Sequence, residues 1–111
     1  MKSVYLIKEE ENNYFKIGIS KNPLIRIKQL QTGSAGHIIL YYEYASEYAS
    51  KIEKAFHRRY KTYNVNGEWF NLREEHICEF IENCSKYERN FQALDITNTP
   101  YYNEFSRRSS F

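Results

Sequence analysis

Apolar and polar positions alternate over "SVYLIK" (3–8) and again over "YFKIGI" (14–19), two short β-branched or aromatic stretches separated by "EEENN". A period of two predicts strands, and the polar interval predicts an antiparallel hairpin with a loop of about five residues. In the first strand Tyr5 faces opposite to Val4 and Leu6. In the second, Lys16 and Gly18 face opposite to Phe15, Ile17 and Ile19. "SKNP" (20–23) breaks the strand, offering Ser20 or Asn22 as a cap and Pro23 in the first turn of a helix over 24–31. Leu24, Ile27 and Leu30 form one side of that helix, Arg26 and Lys28 flank it, and "TGSAG" ends it.

The pattern continues with a third strand at 37–44, "HIILYYEY", and a long helix at 46–63. Ala49, Ile52, Phe56, Tyr60 and Tyr63 make the apolar stripe of that helix at three- and four-residue steps. "NVNG" (64–67) predicts a turn, after which "EWFNL" returns Trp69 and Phe70 to the core. A last helix is expected from near Asn71, its cap, because "NLRE" has the capping-box spacing with Glu74 at the fourth position. Ile77, Phe80, Ile81, Cys84, Tyr87 and Phe91 form its stripe, and from Ala93 onward no period remains. The expected fold is α+β: a small three-stranded antiparallel sheet flanked by helices, with a ββαβα core and a C-terminal helix. Residues 1–72 would make the domain, 73–92 a helix that packs on it or forms a dimer seam, and 93–111 an irregular tail.

Composition narrows the class. The 111 residues suit one domain with one modest core. No uncharged apolar run approaches the roughly 18 residues of a membrane span, and "MKSVYLIKEEE" lacks the apolar stretch of a signal peptide. No membrane partner and a cytoplasmic location are the expectation. Cys78 and Cys84 match no zinc spacing, and six helical residues separate their Cα atoms by about 9 Å, too far for a disulfide. Both read as small core residues. The net charge of +2 is uneven: 11 Lys and Arg stand against 7 Asp and Glu through Leu72, and 5 against 7 from Arg73 on. A basic first part suits a phosphate-bearing partner.

If the first two strands pair across their loop, Tyr5 and Lys16 share a face, with bare backbone at Gly18 beside them. Glu53 borders the apolar stripe of the long helix, one turn before His57. A carboxylate so placed suits a metal or general-base role, and Mg²⁺ is usually held by one or two carboxylates with phosphate oxygens and water. Read by themselves, these residues have ordinary alternatives: a solvated strand lysine, a sheet-packing tyrosine, and a glutamate paired with His57 or Lys54.

The order "SVY", "KIG", "SKNPLIR", "KIEKAFHRRY", with "QLQTG" and "GEWF", resembles the GIY-YIG nuclease superfamily over residues 3–72. It looks closest to a branch common in phages and large DNA viruses, in which the second-motif tyrosine is a lysine. The resemblance implies a metal-dependent endonuclease that hydrolyses DNA phosphodiester bonds, in host-cell cytoplasm for a phage or viral protein. Tyr5 would activate or orient water, and Lys16 would occupy the second tyrosine's place. Gly18 would let backbone and phosphate approach, and Arg26 would stabilise phosphate charge. Glu53 would hold one Mg²⁺ or Mn²⁺. His57 reads either as a support behind that site or as a partly buried core histidine. Lys21, Lys28, Arg58 and Arg59 are the candidates for gripping nucleic acid.

Several positions depart from the family pattern. Ser3 replaces the first glycine, Leu30 stands where a histidine or tyrosine is common, and Asn64, Asn66 and Asn71 compete for one late asparagine. The competing function is a catalytically inactive nucleic-acid-binding or protein-interaction module of the same fold. Lys16 ties the site together chemically. A phenol with a pKa near 10 is only about 0.1% ionised at pH 7, and an adjacent ammonium would favour the phenolate.

Overall fold

In the computed structural model, which describes residues 1–34 and 36–97, the two alternating stretches form β1 (Ser3–Glu9) and β2 (Tyr14–Ser20). They pair antiparallel with Tyr5 opposite Gly18 and Ile7 opposite Lys16. β3 (Ile38–Ala45) covers the other edge of β1. The sheet has five strands, two more than the hydrophobic pattern predicts. β4 (Asn64–Asn66) and β5 (Trp69–Asn71) form a second hairpin, giving the antiparallel order β3-β1-β2-β5-β4. Gly67, at φ +55°, takes the first place of the two-residue turn Gly67-Glu68 between them, a backbone conformation that favours glycine. Strands of three residues are too short to display alternation, so this hairpin reads in the sequence as a bare turn.

Helices cover both faces. α1 (Pro23–Thr32) lies on one, with Ile27 and Leu30 packed against Tyr5, Ile7 and Ile38. α2 (Ala49–Arg59) and α3 (Glu74–Thr97) lie on the other, where Ile52, Phe56, Ile77, Phe80 and Cys84 meet Val4, Leu6 and Ile17. β1 is therefore buried on both sides. The ring of Phe56 stacks on Phe80 at 4.1 Å between centroids and meets the edge of Tyr87 at 5.0 Å. Truncating such a residue to alanine costs about 3–5 kcal/mol, a large part of the 5–15 kcal/mol that typically holds a domain together.

The helix boundaries differ from the predicted ones for local reasons. Asn22 caps α1, its Oδ1 accepting the Ile25 N–H at 3.4 Å. The buried line is Pro23, Ile27 and Leu30, so Leu24 falls off it and is 64% exposed. Residues 46–48 form a turn rather than helix, with Ser46 accepting N–H bonds from Tyr48 and Ala49. Lys61–Tyr63 tighten to a 3₁₀ turn, which carries Tyr63 off the buried stripe.

Asn71 ends β5 instead of capping α3. The cap falls two residues later: Arg73 O accepts the Ile77 N–H, and His76 Nδ1 accepts the Arg73 N–H at 3.0 Å. His76 thus takes the reach-back place of a capping box that Glu74 was expected to fill. The stripe of α3 is consumed within the chain, with Ile77, Phe80 and Cys84 buried and Tyr87 and Phe91 packed on them, although Ile81 is exposed. Burial pushes the Cys84 thiol up to about 12, whereas Cys78 is exposed, on the outer side of the helix. α3 continues through Ala93–Thr97, five residues into the predicted tail, and Tyr48 donates to Asp95 there at 2.5 Å. Residues 98–111 of that tail lie outside the described residues. Among the described residues, no helix is long and apolar enough to cross a membrane.

Burial raises the pKa of Tyr5 and Tyr60, so both are held as phenols in the fold. Unfolded tyrosine ionises near 10. Their contribution to stability is fully present below that pH and is lost as pH climbs through the higher folded values. Absorbance at 295 nm should therefore show exposed tyrosines ionising near pH 10. A later fraction should ionise only together with the loss of the circular dichroism signal. Ionisation of all eleven tyrosines before any unfolding would contradict the buried placement of Tyr5 and Tyr60.

Candidate active site

β5 covers β2 only from Tyr14 to Lys16. At Ile17 the ladder ends: its N–H still donates to Glu68 O at 3.1 Å, but its carbonyl has no strand partner. His57 Nε2 takes that place, 2.8 Å from Ile17 O, with the imidazole packed edge-on against Phe70. A carbonyl only accepts, so Nε2 carries a proton and the lone pair of the neutral ring lies on Nδ1. The contact fixes α2 against the uncovered end of β2 and brings Glu53, one turn earlier, to the same place. Of the three late asparagines, Asn64 lies nearest in role. Its amide ties the β4–β5 turn to Gly67 O and Trp69 O, and it lines a cavity of about 310 Å³ with His57, Lys61, Gly67 and Phe70.

Glu68 joins from the turn. Ligand atoms of Glu53, His57 and Glu68 all lie within 4.8 Å of one another. Two carboxylates at that separation repel by roughly 3 kcal/mol at an effective dielectric constant near 20. Lys16 offsets part of this, with Nζ 2.8 Å from Glu68 Oε2 and 5.7 Å from the centre of the Trp69 ring. Only 8% of Lys16 is exposed, so it is no solvated strand lysine. Burial raises the pKa of Glu53. His57 and Lys16 oppose that shift, and Glu68 adds to it. The two carboxylates of this donor set suit Mg²⁺ or Mn²⁺, and the imidazole nitrogen beside them is compatible with a divalent transition ion as well.

Tyr5 occupies the face toward α1. Its ring lies directly over Gly18: a Cβ at residue 18 would fall 2.6 Å from Tyr5 Cζ and press against the hydroxyl. The space beside Lys16 is thus filled by the phenol rather than left open to a phosphate, which corrects the role expected of Gly18. Burial raises the Tyr5 pKa, and the opposing influence is a hydrogen bond and charge from Arg26. The Arg26 guanidinium itself donates to Gln29 Oε1 at 3.3 Å, and because arginine can only donate, it would act on Tyr5 through the phenol oxygen. Leu30, the departure one turn after Arg26, is packed in the α1-side cluster.

The fold therefore gathers Tyr5, Lys16, Gly18, Arg26, Glu53 and His57 around one end of β2. Glu68 is the member that sequence reasoning missed; the Asn66-Gly67 turn ahead of "EWF" was the signal for a hairpin that would carry it there. The remaining basic residues are not gathered. Lys21 and Lys28 are exposed and make no side-chain ion pair or hydrogen bond among the described residues. Arg59 reaches α3, bonding Tyr87 Oη at 3.4 Å and Glu79 Oε2 at 3.5 Å. With Arg58 it lines a separate cavity of about 480 Å³ between α2 and α3.

The model of the T5orf172 domain matches residues 2–90, a span that includes every residue of this cluster. The chain belongs to the T5orf172 domain family. This is a phage-associated domain found in nuclease-like proteins. No curated protein and no solved structure matches the chain.

The packing of Tyr5 on Gly18 gives a direct test of this T5orf172 site. Gly18→Ala is expected to displace the Tyr5 ring, to lower the melting temperature by several degrees, and to remove whatever activity depends on Tyr5. Tyr5→Phe should leave the melting temperature near that of the wild type, because it keeps the ring. Differential scanning fluorimetry of both variants checks this. A Gly18→Ala protein as stable and as active as the wild type would contradict the packing.

Proposed function

We propose that this T5orf172 domain is a divalent-metal-dependent endonuclease that hydrolyses DNA phosphodiester bonds, built in the manner of the GIY-YIG nucleases. The observation that carries the reading is the meeting of Tyr5 and Arg26 with Glu53, His57, Glu68 and Lys16 at one end of β2. Membership of a family found in nuclease-like proteins supports it, as does the basic character of residues 1–72.

Each residue has a task that its surroundings suit. Glu53 would hold a Mg²⁺ or Mn²⁺ ion, which would supply positive charge to a phosphodiester and to the leaving oxygen. Arg26 donates to a non-bridging phosphate oxygen while it keeps the Tyr5 oxygen in place. Tyr5, held as a phenol by burial, uses its hydroxyl to orient the attacking water rather than to deprotonate it. His57 anchors α2 to Ile17 and so sets the position of Glu53. Lys16 adds a second cation to the phosphate side of the site.

Supercoiled plasmid incubated with Mg²⁺ or Mn²⁺ should be nicked, and EDTA should stop the reaction. Glu53→Ala is expected to lower the rate at least a hundredfold, and Arg26→Ala comparably, while both proteins keep the wild-type circular dichroism spectrum. A wild type that shifts DNA in a gel but never cuts it, with any divalent metal, would replace this reading with that of a nucleic-acid-binding module.

A further inference from the structure

We propose that Glu68 is a second carboxylate ligand of the divalent ion and that Lys16 is its resident counter-ion, exchanged when the metal binds. The inference rests on the metal-dependent reading above for its consequence at the phosphate, but the exchange itself concerns only this chain and a cation. Glu68 lies in "GEWF", a stretch that carries the resemblance without lending this residue a role. It reaches the site because the Gly67 turn ends β5 beside the uncovered part of β2.

Three features of the geometry point to exchange. Glu68 offers its carboxylate both to Lys16, at 2.8 Å, and to the cluster with Glu53 and His57. One ammonium cannot neutralise two carboxylates, so the cluster keeps a negative charge that a divalent ion would remove. Lys16 also has somewhere to remain: its ammonium lies over Trp69, whose ring can hold a cation after Glu68 has let go. Without metal, Lys16 is tied to Glu68 and unavailable to an anion. With metal, Glu68 turns to the ion, and the freed ammonium faces the phosphodiester. Metal binding would thus arm the phosphate-binding side of the site, which makes Lys16 and Glu68 one device rather than two separate residues.

Mn²⁺ binding to the full chain, followed by water-proton relaxation in the absence of DNA, tests the exchange independently of cleavage. Glu68→Gln should weaken Mn²⁺ binding at least tenfold, as should Glu53→Gln. Lys16→Met should strengthen it several-fold, because a competing cation has been removed. Labelling of Lys16 by acetic anhydride, read by mass spectrometry, should rise on adding Mg²⁺ to the wild type and stay low in Glu53→Gln. Mn²⁺ affinity within twofold of wild type in Glu68→Gln, with Glu53→Gln weakened, would overturn the role of Glu68. Unchanged or weaker binding in Lys16→Met would overturn the exchange. Plasmid nicking by a wild type whose Glu68→Gln variant binds Mn²⁺ normally would sink this inference alone. The expected Mn²⁺ pattern in a protein that never nicks DNA would keep the exchange and sink the hydrolase.

Discussion

The hydrogen bond between His57 and the carbonyl of Ile17 is the contact on which the site depends. A strand whose neighbour stops short leaves a backbone acceptor that must find another donor, since an unpaired buried carbonyl is costly. Here the imidazole supplies it, and the consequence is positional. α2 is drawn against the uncovered end of β2, so that Glu53 on its flank meets Glu68 from the turn and Lys16 from the strand. A longer β5 would satisfy Ile17 with backbone and close the place where these side chains converge. The shortness of the second hairpin is therefore part of how the site is made.

The other face of β2 is governed by the absence of a side chain at Gly18. Glycine in a strand interior sacrifices packing and stiffness, and the return here is the placement of the Tyr5 ring across the gap. α1 completes that arrangement from above, with Ile27 and Leu30 seated in the apolar cluster and Arg26 directed at the phenol. A buried cation and a buried phenol thus stand side by side on one face of a short strand, and each is held by a different neighbour. Lys16 belongs to Glu68 and Trp69; Tyr5 belongs to Gly18 and Arg26.

Much of this was legible in the chain. The alternation of 3–8 and 14–19, the Pro23 start of α1 and the stripe Ala49-Ile52-Phe56-Tyr60 place Tyr5, Lys16, Arg26 and Glu53 on the elements where they are found. What the pattern could not reveal depends on short or shared elements. β4 and β5 have three residues each, below the length at which a period is visible, so Glu68 went unassigned. The partner of Lys16 is set by register across strands, which no local spacing encodes. Arg58 and Arg59 share a basic run with His57, yet helical rotation sends Arg59 to α3 and His57 to β2. Leu24 satisfied the helical spacing, yet α1 turns Pro23, Ile27 and Leu30 toward the sheet and leaves Leu24 exposed.

The central claim is that the end of β2 is where metal and phosphate meet. A crystal structure of the chain grown with Mn²⁺ and an oligonucleotide carrying non-hydrolysable phosphorothioates would test it most directly. The account predicts an anomalous-scattering peak in contact with Glu53, with a backbone phosphate held by Arg26. A metal bound away from Glu53, or DNA lying along the α2–α3 groove at Arg58 and Arg59 with the Tyr5 side bare, would contradict it.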